Sequence, residues 1–204
     1  MITMTIDAKV ITTKKNKTVL QVAKENNIYI PTLCAFAGLE TRSVCRICSI
    51  EVKGAAFLSP ACSTLVKEGM EIITDNDKVR NARKVLMEFI LAEQGETENW
   101  GVKIKKLARE FGIEKARLKL TDDSARFILH SEYITLTQAL CIHCDRCISV
   151  CKYHIIHRAK KGATVTLTFG ENNESLDKTN CVHCGDCISV CPTGALAEMV
   201  NGEL

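Results

Sequence analysis

One cysteine comb occurs twice in this chain. CIHCDRCISVC at 141–151 and CVHCGDCISVC at 181–191 agree at eight of eleven positions and begin 40 residues apart. A fold that hosts them must bring two tight, thiol-lined loops together. Four further cysteines, Cys34, Cys45, Cys48 and Cys62, lie upstream, and the 78 residues between Cys62 and Cys141 contain none. The N-terminus, MITMTIDAKV, alternates apolar and polar residues and does not read as a signal peptide. Twelve thiols in such a chain are poor candidates for disulfides, because cytosolic thiols are kept reduced. Metal ligation is the leading explanation, and a cytoplasmic location is expected.

Composition excludes several function classes. With 27 basic and 24 acidic side chains the net charge is +3, too small to argue for nucleic acid. Six Phe, three Tyr and one Trp offer few stacking platforms for single strands. No apolar run approaches bilayer length, so no transmembrane segment is expected. There is no G-x-G-x-x-G and no Walker loop, and the chain is expected to transform no substrate of its own.

Each comb is C-x2-C-x2-C-x3-C, the bacterial two-cluster ferredoxin run, in which three thiolates hold one [4Fe–4S] cluster and the fourth reaches the other. Each half alone is incomplete. This pattern assigns Cys141, Cys144, Cys147 and Cys191 to one cluster, and Cys181, Cys184, Cys187 and Cys151 to its neighbour. The close spacing lets the backbone wrap a cubane corner and aim amides at its sulfurs. Pro192 and Gly185 suit the sharp bends of the second comb, where the first has Lys152 and Asp145. Zinc sites pair C-x2-C with a distant partner pair, which the combs do not do. His143 and His183 read as solvent-facing loop residues. Between the combs, 162–175 (GATVTLTFGENNES) reads as a β-hairpin insertion covering the cluster pair.

Upstream, 2–7 and 9–14 read as two strands joined at Asp7 and Ala8. Thr18 opens a helix with Gln21 as a capping box, Val19, Leu20, Val22 and Ala23 form its apolar face, and Asn26 and Asn27 end it. IYIPTLC (28–34) runs extended into Cys34, and SIEVKG and MEIITD (70–75) are further strands. This pattern resembles the β-grasp fold of plant-type ferredoxins. The spacing C-x10-C-x2-C-x13-C departs from the plant order and is similar to the N-terminal domain of the complex I large iron–sulfur subunit and of [FeFe] hydrogenases, including the IPTLC entry. That resemblance implies a [2Fe–2S] cluster on Cys34, Cys45, Cys48 and Cys62. A single zinc ion is the alternative for four cysteines on loops. Arg42 and Arg46 either counter the cluster's charge or are solvated.

The stretch 75–94 places Val79, Ala82, Val85, Leu86, Phe89 and Ile90 at helical spacing. A second helix is predicted over 102–111, ended by Gly112. Its run KIKKLAR reads as a solvated face, with docking of an acidic partner as the alternative. The expected fold class is α+β: a β-grasp [2Fe–2S] ferredoxin-like domain (1–75), a helical connector without a cluster (76–130), and a bacterial-type 2[4Fe–4S] ferredoxin domain with a hairpin insertion (131–204).

That order resembles the N-terminal half of [FeFe] hydrogenases and the small diaphorase-side iron–sulfur subunits of NAD-linked hydrogenases and formate dehydrogenases. In those relatives the connector holds one more [4Fe–4S] cluster through a histidine and three cysteines. Here the connector has no cysteine and the first histidine is His130, so that site cannot form. Unless the fold contracts or a partner bridges the gap, the loss separates the [2Fe–2S] centre from the pair and puts it on a side branch or facing its own partner. The resemblance implies an electron-transfer subunit of a multisubunit oxidoreductase. Its implied partners are a flavoprotein NAD(P)H-oxidising or -reducing subunit, a catalytic oxidoreductase subunit such as a hydrogenase, formate dehydrogenase or electron-bifurcating enzyme, and soluble ferredoxin. A free ferredoxin-like carrier, a redox-sensing regulator and a zinc-bearing interaction module are the other readings.

Overall fold

The computed structural model describes residues 1–94, 100–118, 128–161, 165–170 and 174–199. Its first unit grows from the hairpin of β1 (Ile2–Ile6) and β2 (Lys9–Thr13), whose turn residues Asp7 and Ala8 take φ of 49° and 65°. Positive φ at both turn positions matches the twist of a two-residue hairpin. α1 (Val19–Glu25) follows, and its capping box is present: Gln21 N donates to Thr18 Oγ1 at 3.2 Å and Thr18 N to Gln21 Oε1 at 2.8 Å. β3 (Ser49–Val52), β4 (Ser59–Pro60) and β5 (Glu71–Ile73) complete a sheet ordered β2-β1-β5-β3-β4, with β1 and β5 parallel and the other pairs antiparallel. Val19, Val22 and Ala23 of α1 pack on Met4, Ile6, Ile50 and Ile72 of the sheet, the β-grasp arrangement.

α2 (Asp77–Gln94) and α3 (Val102–Glu110) form the connector. α3 ends at Phe111, and Gly112 follows at φ 66°. The buried face of α2 differs from the expected stripe. Val85 and Phe89 are 48% and 57% exposed, while Arg83, Met87, Glu88, Leu91 and Gln94 join Val79 and Ile90 inside. The burial of two charged residues is explained by their partners. Arg83 donates Nε and Nη2 to the Ser49 carbonyl at 3.1 and 2.7 Å, and Glu88 receives Arg117 at 2.9 and 2.6 Å. Residues 119–127 of the connector lie outside the described residues.

The last unit holds a sheet ordered β10-β7-β6, from β6 (Ile128–His130), β7 (Ile134–Thr137) and β10 (Leu196–Glu198). α4 (Arg146–Val150) and α5 (Asp186–Ser189) carry the combs. The expected hairpin inside 162–175 is corrected. Thr166–Phe169 (β9) pairs with the upstream strand Ile156–Ala159 (β8), so the insertion contributes one strand to a hairpin whose other arm precedes it. Both faces of β9 are covered, Thr166 and Thr168 included, so alternation alone could not identify its partner. Residues 162–164 and 171–173 of that stretch lie outside the described residues. Among the described residues no helix is long and apolar enough to cross a membrane.

The units share a core. Leu33, Cys34, Cys45 and Ile47 pack with Met87, Leu91, Ile104 and Leu107 of the connector and with Ile142 of the first comb. α3 begins against the second comb's exit: a Cβ on Gly101 would overlap the Thr193 carbonyl, so this approach requires glycine.

Candidate metal centres

Four thiols of the first unit converge on one buried point. Cys34 is delivered by the extended stretch after α1, Cys45 and Cys48 flank the turn into β3, and Cys62 follows β4. Arg46 makes that turn with φ 57°, and its carbonyl accepts from Ser49 N and Oγ at 3.0 and 2.6 Å. Cys34 N donates to Cys45 Sγ at 3.4 Å, and Ser43 Oγ lies 3.3 Å from Cys62 Sγ. The Cys45 and Cys62 thiols also donate to Cys34, holding its pKa far below the usual thiol range and pushing their own up. Cys48 is lowered to about 7, chiefly by the Cys62 thiol. Such mutual dependence shows four sulfurs within one another's reach.

The combs build two hollows, and the cysteines lining each follow the exchanged pattern. One is lined by Cys141, Cys144, Cys147 and Cys191, with Leu136, Ile142, Leu167 and Leu196. The other is lined by Cys151, Cys181, Cys184 and Cys187, with Ile134, Ile155 and Phe169. Asp145 (φ 61°) and Gly185 (φ 75°) hold the same left-handed position before α4 and α5. The turns aim amides at sulfur: His143 N donates to Cys141 Sγ at 3.4 Å, and the amides of Arg146, Ile148 and Ile188 stabilise the thiolates of Cys144, Cys147 and Cys187. Burial outweighs these amides, pushing Cys141 up to about 12 and Cys187 to about 11, with Cys144 and Cys147 raised as well. Burial thus disfavours the bare thiolates of Cys141, Cys144, Cys147 and Cys187, and a bound iron would take the place of the proton.

The donor sets fit iron–sulfur cages. All twelve cysteines are free of disulfides, and each set is all-sulfur, apolar-walled and served by backbone amides.

The structure corrects several sequence-based expectations and adds residues. His183 is exposed, as expected, and stacks on Tyr133 with ring centroids 3.9 Å apart. His143 does not face solvent: it is half-buried, and its Nδ1 lies 3.8 Å from Cys141 Sγ. The basic run of α3 divides. Ile104, Leu107 and Ala108 are buried, and Lys103 is half-buried, near enough to Cys45, Cys34 and Cys144 to feel their charge. Arg46 is exposed, whereas Arg42 Nε meets Asp145 Oδ2 at 3.1 Å. The expected gap between the Cys34 site and the paired sites is closed: Arg146 of the first comb donates directly to the backbone around Cys34. Neither Arg146 nor Lys103 was identified from sequence. The available signal was that the combs differ at 145 and 146, beside two shared cysteines.

Comparison with known proteins agrees with this geometry. Residues 1–77 match the 2Fe-2S iron-sulfur cluster binding domain, and residues 140–195 match the 4Fe-4S dicluster domain. The chain is thus an iron–sulfur protein of tandem ferredoxin type, with one [2Fe–2S] and two [4Fe–4S] clusters. It is similar to the NADP-reducing hydrogenase subunit HndD of Solidesulfovibrio fructosivorans, 34% identical over 74% of this chain and 28% of that protein. It is also similar to the NAD-reducing hydrogenase HoxS subunit gamma of Cupriavidus necator, 31% identical over 72% of this chain and 64% of the relative. The chain therefore spans roughly a quarter to just under two thirds of the length of these curated relatives. Its fold matches a chain in a crystal structure of NAD+-reducing [NiFe]-hydrogenase, with TM-score 0.88 over 98% of this chain and 88% of that one at 22% identity.

Proposed function

We propose that this chain is an iron–sulfur electron-transfer subunit of a multisubunit oxidoreductase, relaying single electrons between a flavin/NAD(P)H subunit and a separate catalytic subunit. The observation that carries the reading is the set of three cysteine clusters, in which the Cys34 loop is bonded to the first comb and each comb lends one cysteine to the other's hollow. In this reading Cys34, Cys45, Cys48 and Cys62 hold the [2Fe–2S] cluster. Cys141, Cys144, Cys147 and Cys191 hold the first [4Fe–4S] cluster, and Cys151, Cys181, Cys184 and Cys187 the second. Bound there, the clusters supply one-electron chemistry at low potential, about −400 mV for a plant-type [2Fe–2S] centre. The protein's part is to exclude water with apolar walls, direct amides at sulfur and fix the sites relative to one another. The division into 1–75, 76–130 and 131–204 follows the same reading, as does a cytoplasmic location. Both relatives are named as subunits of NAD(P)-reducing hydrogenases, which supports a hydrogenase-type catalytic partner.

The test is anaerobic purification from the native host with iron counting. About ten irons per chain, two plus four plus four, and a copurifying flavoprotein are expected. An iron-free chain, silent in electron paramagnetic resonance after reduction, overturns the reading, and an iron-loaded solitary monomer transfers it to a free carrier. In addition, Cys191→Ser is expected to perturb the cluster of Cys141, Cys144 and Cys147 and to spare the one beside it in sequence.

A further inference from the structure

The two combs share their backbone course and differ most at one dipeptide, Asp145-Arg146 in the first and Gly185-Asp186 in the second. The structure gives that difference a role. Arg146 is only 4% exposed, although it opens α4 beside a candidate ligand. Its Nε donates to the Cys34 carbonyl at 3.0 Å, Nη2 to the carbonyls of Leu33 and Ala35 at 2.5 Å each, and Nη1 to the Val190 carbonyl at 3.0 Å. Phe36 places its ring 5.1 Å from the guanidinium carbon. One side chain of the first comb thus holds three consecutive carbonyls around Cys34 and, through Val190, the residue preceding Cys191.

Every one of those acceptors is a neutral carbonyl. The neighbouring carboxylate, Asp145, is directed elsewhere, to Arg42 and Arg158, and no described carboxylate lies within ion-pair distance of Arg146. A buried guanidinium without a counter-charge is costly, and carbonyl dipoles alone offset that cost only in part. Arg146 lines the hollow of Cys141, Cys144, Cys147 and Cys191 and bonds the Cys34 carbonyl, so the sulfur ligands of two different sites surround it, with half-buried Lys103 as a second cation nearby. The counter-charge is therefore the thiolate-ligated clusters themselves. Reduction adds one negative charge to a site, and a fixed cation alongside favours that gain. Asp186, at the corresponding position of the second comb, brings the opposite charge.

We propose that Arg146 is a positioning residue for electron transfer: a fully buried cation shared by the [2Fe–2S] site and the first [4Fe–4S] site. It locks the Cys34 loop onto the first comb and raises the reduction potential of both sites relative to the second [4Fe–4S] site. The inference rests on the cluster assignment proposed above.

The test uses the full chain, purified anaerobically with its clusters, in Arg146→Gln, Arg146→Lys and Arg80→Gln forms. Arg80 pairs with Asp75 and Asp77 away from the combs and serves as the control. Each form is titrated redox-potentiometrically and followed by electron paramagnetic resonance. The first [4Fe–4S] signal is identified as the one that Cys191→Ser perturbs. In Arg146→Gln, the [2Fe–2S] and first [4Fe–4S] midpoints are expected to fall by at least tenfold in the one-electron equilibrium constant, about 59 mV. The second [4Fe–4S] midpoint and all those of the control are expected to move by less than about threefold. Arg146→Lys, which keeps the charge but not the planar fork, is expected to restore most of the shift. Unchanged midpoints in a loaded Arg146→Gln protein, or equal shifts at all three sites, overturn the proposal and leave the cluster assignment standing. If Arg146→Gln does not retain iron, Arg146→Lys decides: wild-type midpoints support the proposal, and loss of iron there too reduces Arg146 to a purely structural part. A wild-type chain without three cluster signals overturns the assignment itself.

Discussion

Substituting Asp145 by glycine exchanges the first comb's turn residue for that of the second, so the chain's own repeat supplies the perturbation. Two opposed effects are expected. Asp145 sits at φ 61°, where a side chain costs about 1 kcal/mol that glycine avoids. Its carboxylate, 3% exposed, accepts from Arg158 Nη2 at 2.5 Å and pairs with Arg42 Nε at 3.1 Å. A hydrogen bond between charged groups contributes about 1.5–3 kcal/mol. Arg42 and Arg158 are 57% and 38% exposed, and water takes back part of each loss, leaving about 1–1.5 kcal/mol apiece. The net destabilisation of Asp145→Gly is then about 1–2 kcal/mol, a fall of about 2–8 °C in Tm for a chain of this size. Asp145→Asn loses the same charge without the backbone relief and is expected to fall about 1 kcal/mol further. The assay is anaerobic scanning calorimetry of the cluster-loaded protein at one scan rate, because cluster loss makes unfolding irreversible. In an Arg158→Gln background the Asp145→Gly effect should shrink by about 1 kcal/mol, the coupling a double-mutant cycle isolates. An Asp145→Gly protein as stable as the wild type, or an Asn variant more stable than the Gly one, refutes the reasoning.

Two further outcomes follow from the packing between units. Leu33, wholly buried among Cys34, Met87, Leu91, Ile104 and Ile142, is expected to cost about 2–5 kcal/mol as Leu33→Ala and less than about 1.5 as Leu33→Met, read as shifts of Tm on the loaded protein. The Tyr29 hydroxyl donates to Glu110 at 2.9 Å, and burial, then that bond, pushes the phenol up to about 12. The folded chain therefore holds this proton longer than the unfolded one, so the contribution is complete below about pH 10 and is lost as pH rises toward 12. Tyr29→Phe should abolish that part of the alkaline stability loss in chemical denaturation, and an unchanged alkaline slope counts against the contact.

What sequence reading recovers here is what depends on local covalent spacing. The capping box at Thr18 and Gln21 and the Asp7-Ala8 hairpin each lie within a dozen residues, and the structure agrees with both; the comb cysteines line two hollows. The failures occur where a residue's partner is remote. β9 pairs outside its own insertion, with Ile156–Ala159, and alternation gives no sign of this because both its faces are apolar or threonine. The α2 stripe differs from its hydrophobic pattern because hydrophobicity alone cannot foresee that Arg83 is buried by the Ser49 carbonyl and Glu88 by Arg117. Arg146 carries no local signal, since what buries it is the backbone of residues 33–35, more than a hundred positions away.

That dependence on neighbours explains how two nearly identical combs come to be unlike. Both make hollows from the same residue types, so their own sequences supply little to separate them. The first hollow is closed over by the Cys34 loop, with a buried arginine at their junction and Cys141 and Cys147 out of solvent. The second opens outward: Cys184 is exposed, and Tyr133, Tyr153 and Val182 stand half in water around it. Burial and nearby charge are the means by which a protein sets a cluster's potential. Under the proposed assignment, two sites built on one motif are therefore expected to differ in redox character through what packs against them, with a sheltered end at the Cys34 unit and an accessible one at Cys184.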